Sequence, residues 1–141
     1  LASRGDLLRR FTKIVEAFCK DNADNAAVAP YIATLSKLLH KWGEVTMELG
    51  MKSMQNPEEA GAASVDYLMY SGYVVFGFMW ARMALVADNA IKNGSDDGFY
   101  KAKLHTARFY FERILPRTEA HLRSMRSGAG NLMDLDAELF A

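Results

Sequence analysis

Apolar residues recur along this chain with the spacing of helices rather than strands. Leu7, Phe11, Ile14 and Phe18 are separated by four, three and four residues, with Leu8 and Val15 beside them. That spacing predicts a helix over about 3–21, with Ser3 able to cap its start. From Val28 the pattern runs through Ile32, Leu35, Leu39, Trp42, Thr46 and Leu49 in alternating steps of four and three. This is the seam of a helix lying nearly parallel to its neighbours, over about 24–53. Pro30 falls near its start, where a missing backbone donor costs little.

Asn56-Pro57-Glu58-Glu59 is the clearest boundary: Asn caps, Pro takes the first helical position, and the acids sit at the positive end of the helix dipole. A third helix follows over about 57–92 and stops at Asn93-Gly94. A fourth, over about 98–127, carries Tyr100, Leu104, Ala107, Phe111, Ile114, Thr118, His121 and Met125 on one face. Pro116 lies in its middle and is expected to kink it by freeing the carbonyl of Glu112. Ser127-Gly128-Ala129-Gly130 ends it. The expectation is all-α: an up-down-up-down antiparallel four-helix bundle over 1–128 and a docking tail over 129–141 that offers Leu132, Met133, Leu135, Leu139 and Phe140.

Composition narrows the reading. Half of the 141 residues are apolar and 11% aromatic, enough for a core and too many for a disordered chain. Surface scaling gives a folded accessible area of about 7,000 Å² for this length. A single cysteine, Cys19, excludes an internal disulfide and favours a buried thiol over a nucleophile. Seventeen basic and seventeen acidic residues cancel, which removes any global attraction to nucleic acid or anionic lipid. The charges are unevenly spread. Residues 57–98 carry two basic and six acidic side chains, whereas 99–128 carry seven basic and two acidic ones. Complementary segments in one small chain read as neighbours in the fold. The chain begins at Leu1 without a signal-peptide pattern, which suggests a domain taken from a longer polypeptide.

Candidate chemistry is sparse. Tyr67 to Ala81 holds no charge, but Ser71, Gly72, Gly77, three tyrosines and the nearby Arg82 favour the central helix of a bundle over a membrane span. Gly72 and Gly77 are places where another helix can approach closely, within the chain or across an oligomer interface. A di-metal carboxylate centre needs Glu-x-x-His pairs, yet Lys37, Ala102 and Thr118 stand three residues before His40, His105 and His121. His121 and Glu119 fall on different helix faces. Arg4-Gly5-Asp6 matches an adhesion tripeptide without an extracellular cysteine pattern, and Asn93-Gly94-Ser95 reads as a helix stop. Gly128-x-Gly130 lacks a preceding strand and a third glycine, so it is no dinucleotide loop. The aromatics of the basic fourth helix (Phe99, Tyr100, Phe109, Tyr110 and Phe111) fall on or beside its apolar seam and read as core, not as a nucleic-acid platform. The residues themselves offer packing and no catalytic, cofactor or metal site.

Two stretches carry a resemblance. One runs from Gly61-Ala62-Ala63-Ser64-Val65-Asp66-Tyr67-Leu68 through Gly72-Tyr73-Val74 to Met79-Trp80-Ala81-Arg82-Met83-Ala84. The other is Ala107-Arg108-Phe109-Tyr110-Phe111-Glu112-Arg113-Ile114-Leu115-Pro116-Arg117-Thr118, followed by Gly128-Ala129-Gly130-Asn131-Leu132-Met133. Together they resemble the C-terminal helical domain of bacterial acyl-CoA dehydrogenases of the 3-methylmercaptopropionyl-CoA dehydrogenase-like subfamily. The resemblance implies a cytoplasmic parent enzyme that oxidises acyl-CoA to trans-2-enoyl-CoA with FAD and passes electrons to an electron-transfer flavoprotein. It places the flavin and the catalytic glutamate in preceding domains, and no glutamate here matches that motif position. The segment itself would pack on the catalytic domains and on a neighbouring subunit. Two other readings remain open. Arg108, Arg113 and Arg117 could reach acyl-CoA or flavin phosphates, or the chain could be a free-standing helical interaction module.

Overall fold

The computed structural model describes residues 5–140, with residue 140 described by its backbone alone. The described residues form helices joined by turns, without strands. Helix α1 spans Asp6–Asp21, α2 Ala29–Gln55 and α3 Glu58–Lys92. Next come α4, Gly98–Phe109, a π turn at Tyr110–Ile114 and a 3-10 turn at Leu115–Arg117. Then follow α5, Thr118–Arg126, α6, Gly130–Met133, and a final 3-10 turn at Ala137–Phe140. The expected Ser3 cap and the start of the first helix at residue 3 lie outside the described residues, as does the side chain of Phe140.

The boundary signals act through the bonds their residue types supply. Asn56 Oδ1 accepts the Glu58 N–H at 3.1 Å, capping α3 from just outside it. At the other end, Gly94 adopts φ 92°, and the N–H groups of Gly94 and Ser95 reach back to the Ile91 and Ala90 carbonyls. This paired closure needs a left-handed residue, which glycine provides without a Cβ clash. Asp97 Oδ1 accepts the Phe99 N–H at 2.8 Å and starts α4. The second helix begins later than its seam suggests, because Asn22 to Val28 form turns closed by Val28 N–H to Asn25 O.

The helix expected over 98–127 is segmented. Proline has no N–H and its ring crowds the carbonyl four residues back. The chain absorbs both problems with one wide turn: the Leu115 N–H bonds to Tyr110 O, five residues away. Ala107, Thr118 and Met125 of the expected face are buried, and the wide turn shifts the inward line only locally. Tyr110 and Leu115 are both buried, whereas Phe111, Ile114 and His121 from the expected face are half-buried. On α1 the inward line likewise shifts to Leu8, Phe11, Val15 and Cys19, leaving Leu7 and Ile14 exposed.

One core joins these elements. Phe11 meets Trp42 and Phe78 edge-on at 6.1 and 5.9 Å, tying α1 to α2 and α3. Between α2 and α3, Tyr70 Oη donates to Leu38 O at 2.9 Å, and Tyr67 meets Thr46 at 2.8 Å. Gly77 lies where Leu35 and Leu115 converge on α3; a Cβ there would stand 3.2 Å from Leu35 and 3.4 Å from Leu115. Tyr110 Oη donates to Tyr73 O, and Tyr31 stacks on Phe111 at 4.3 Å.

The acidic and basic stretches are neighbours, since α4 and α5 both pack on α3, but among the described residues no Lys or Arg of 99–128 pairs with an acid of 57–98. Arg126 of α5 donates through Nε and Nη2 to Glu48 of α2, at 2.8 and 2.7 Å. The arginine holds the Glu48 carboxyl below its ordinary range. Both side chains are more than a third exposed, so water and salt screen the pair. A double-mutant cycle with Arg126→Ala and Glu48→Ala, read by urea unfolding, is expected to give a coupling of about 0.5 kcal/mol that shrinks in high salt.

Candidate functional site

Helix α3 is long and apolar enough to cross a membrane by length and composition, with mean hydropathy 1.4 over its most apolar 18 residues, yet only 33% of that window is buried. It is therefore not enclosed on all sides, as the expected central helix of a bundle would be. Its inward side uses many small residues: Ala63, Gly77, Ala81, Ala84 and Ala87 are buried beside Tyr70, Val74 and Phe78. Its outward side carries large ones. Val65, Leu68, Met69, Phe76, Met79 and Val86 are 40–71% exposed. Helix periodicity could not separate these faces, because both are apolar.

Gly61 and Gly72 lie on the same outward side, and a Cβ built on either meets nothing within 4 Å. Gly72 therefore serves no close approach within the chain, in contrast to Gly77. Towards the C-terminal end, α3 and α4 form an apolar groove of about 340 Å³, lined in part by Met79, Met83, Val86 and Phe99. Two cations rim it. The Arg82 guanidinium lies 5.6 Å from the centre of the Phe78 ring, and Lys103 Nζ lies 4.9 Å from that of Phe99. Such positions favour positive charge and leave it facing solvent.

The residues singled out from the sequence fall elsewhere. His40 lies 2.9 Å from Glu44, His105 is exposed, and His121 Nδ1 meets Asp66 Oδ1 at 2.7 Å between α5 and α3. Nothing in the spacing of Asp66 and His121, fifty-five residues apart, signals that pair. No three His, Cys, Asp or Glu side chains converge as metal ligands among the described residues. Cys19 is buried, and burial pushes its thiol pKa up, away from the thiolate a nucleophile needs. Arg108, Arg113 and Arg117 are all exposed, and Arg108 Nε donates to Glu112 at 2.8 Å. Of the fourth-helix aromatics, Tyr110 is buried, Tyr100 and Phe111 half-buried, and Phe99 and Phe109 exposed. The tail is tied at its start, where the buried Ala129 donates its N–H to Glu59 Oε1 at 3.2 Å. Beyond that point Leu132, Met133, Leu135 and Leu139 are exposed.

The site this geometry supports is a surface rather than a reaction centre. A family described as acetyl-CoA dehydrogenase C-terminal like matches residues 11–136. The chain is also similar to a 3-methylmercaptopropionyl-CoA dehydrogenase of Ruegeria pomeroyi, 28% identical over 130 residues. The match takes in 91% of this chain and 22% of that protein, so the chain spans about a fifth of the relative's length.

Proposed function

The chain belongs to the acetyl-CoA dehydrogenase C-terminal-like family, and on that premise we propose that it is the auxiliary packing domain of an FAD-dependent acyl-CoA dehydrogenase. The family match over 11–136 carries the proposal. The parent enzyme would oxidise an acyl-CoA thioester to the trans-2-enoyl-CoA in the bacterial cytoplasm and hand its electrons to an electron-transfer flavoprotein. This chain would pack against the catalytic domains and a neighbouring subunit.

We further propose that its long helices form an up-down-up-down antiparallel bundle, with α4 and α5 together as the fourth member. The contact order supports this reading. Leu38 with Tyr70 and Thr46 with Tyr67 descend along α3 as they rise along α2. Tyr73 with Tyr110 and Asp66 with His121 do the same between α3 and the last helical segments.

The residues present do not fit a flavin. A bound FAD needs a converging set of donors for its diphosphate and an enclosed slot for its ring. Arg108, Arg113 and Arg117 are exposed, with Arg108 already engaged by Glu112. Two measurements test the proposal. The purified chain, mixed with FAD and desalted, is expected to elute without flavin absorbance. The complete reading frame that contains this chain, expressed and given an acyl-CoA with an artificial electron acceptor, is expected to reduce the acceptor. Stoichiometric flavin on the 141-residue chain would overturn the packing role. A reading frame that begins near Leu1 and shows no oxidation would favour a free-standing interaction module.

A further inference from the structure

Helix α1 roofs the lane between α2 and α3 for part of its length. Cys19 meets Ser36, Phe11 meets Trp42, and Gly5 and Leu8 share a cavity of about 440 Å³ with Gly43, Thr46 and Met47. Going back along α1 therefore means going forward along α2. From α3, Phe78 meets both Phe11 and Phe18 edge-on, at 5.9 and 5.4 Å. The roof ends opposite Thr46, whereas α2 runs on to Gln55 and α3 starts only at Glu58.

Past that point the lane is an open apolar groove of about 480 Å³. Leu49, Gly50 and Met54 line it from α2, and Ala60 and Ala63 from α3. The Thr46 and Tyr67 hydroxyls, 2.8 Å apart, bridge it at the α1 end. The groove uses the side of α3 that faces α2, not the outward stripe of Val65, Leu68 and Phe76. A Cβ on Gly50 meets nothing within 4 Å. Met54 on the rim is 82% exposed, the highest value among the large apolar side chains described.

We infer that this groove is filled by the stretch of the parent chain that leads into α1. The inference rests on the packing role proposed above and names one of its contacts. The groove prolongs the lane that α1 already occupies, and it opens where α1 starts. On the packing-domain reading the catalytic part comes before this chain, and the unmatched four-fifths or so of the relative's length leaves room for it. A contact this short favours an attached segment. Covalent linkage supplies a high effective concentration, whereas a free peptide would lose its whole ordering entropy on binding.

The dimensions set what the stretch must be. Thr46 to Met54 spans about 12 Å along α2, which about four extended residues or eight helical ones would cover. The groove contributes small residues, Gly50, Ala60 and Ala63, so the entering stretch must bring the large apolar ones. Helix α1 does the same further along the lane, with Phe11 and Phe18.

The test uses the complete reading frame. Met54→Cys is combined with one cysteine at each of about ten successive positions of the entering stretch, and each protein is oxidised with copper–phenanthroline. One or two neighbouring positions are expected to form an intrachain disulfide, identified by mass spectrometry as a linked peptide pair in monomer-mass material. In the protein with Met54→Cys alone, changing the apolar residues of the entering stretch to serine is expected to speed maleimide labelling at least ~tenfold, because the rim then opens. No intrachain link at any position, with labelling indifferent to the serines, overturns the inference. Links found only at dimer mass overturn it too, and give the groove to a second copy. Acceptor reduction by the same preparations scores the parent role separately. A protein that oxidises the thioester yet forms no link loses only this occupant of the groove, whereas a reading frame that begins near Leu1 removes both.

Discussion

Replacing Tyr70 with alanine is expected to cost about 4 kcal/mol. The ring is 0% exposed and lies between α2 and α3, tilted against Trp42 at 6.5 Å. Alanine would leave a ring-sized cavity in a seam held on both sides by long helices, which can relax only partly to fill it. It would also delete the bond from Tyr70 Oη to Leu38 O. Tyr70→Phe isolates that second contribution: it keeps the ring and is expected to cost about 1 kcal/mol. Urea unfolding of the three proteins, at one fixed concentration because association adds to apparent stability, separates packing from hydrogen bonding. An alanine variant no weaker than the phenylalanine variant would mean that the α2–α3 contact collapses freely, and the core would not be organised around Tyr70.

Much of this arrangement was legible from residue spacing, and the exceptions share a cause. The seam of α2 was clear, and Ile32, Leu35, Leu39, Trp42 and Leu49 are buried as their steps imply. The ends of α3 were clear because Asn56, Pro57 and Gly94 act locally, through bonds spanning a few residues. The π turn was not. Pro116 signals a disturbance, but whether the chain kinks or widens a turn depends on which face the neighbouring helices need buried. Here Leu115 is drawn to Gly77, and a wide turn delivers it.

The outward face of α3 was hidden for a related reason. Apolar residues surround the helix, so periodicity carries no orientation, and only the number of neighbouring helices decides what is left uncovered. Those neighbours take the side with the alanines. The accessible surface is 9457 Å², about 2,000 Å² above the scaling for a compact domain of this mass, and this face and the exposed tail both contribute to the excess. A segment that packs on other bodies would carry such an excess. The same limit applies to the site: the sequence offered packing, with Arg108, Arg113 and Arg117 as an open alternative, whereas the feature the fold leaves uncovered is the apolar face of α3.

High pH is expected to unfold the protein through two buried phenols. Tyr70 and Tyr110 are 0% and 8% exposed, and burial pushes each pKa from 10.0 to about 12. Each hydroxyl donates to a backbone carbonyl, of Leu38 and Tyr73 respectively, and a phenolate cannot donate. Between pH 10 and pH 12 the unfolded chain therefore releases protons that the folded chain keeps. The unfolded state binds fewer protons there, so stability falls as pH rises. Two pH units correspond to roughly 2–3 kcal/mol for each tyrosine, and both together approach the whole stability of an ordinary domain. Far-ultraviolet circular dichroism is expected to show helix loss across this window, accompanied by a rise in tyrosinate absorbance. The double variant Tyr70→Phe, Tyr110→Phe is the decisive comparison. It starts less stable at neutral pH, having lost two hydrogen bonds, yet its stability is expected to decline far less between pH 10 and pH 12. An equally steep decline in the double variant would place the alkaline sensitivity in other groups, and the two phenols would be packing residues alone.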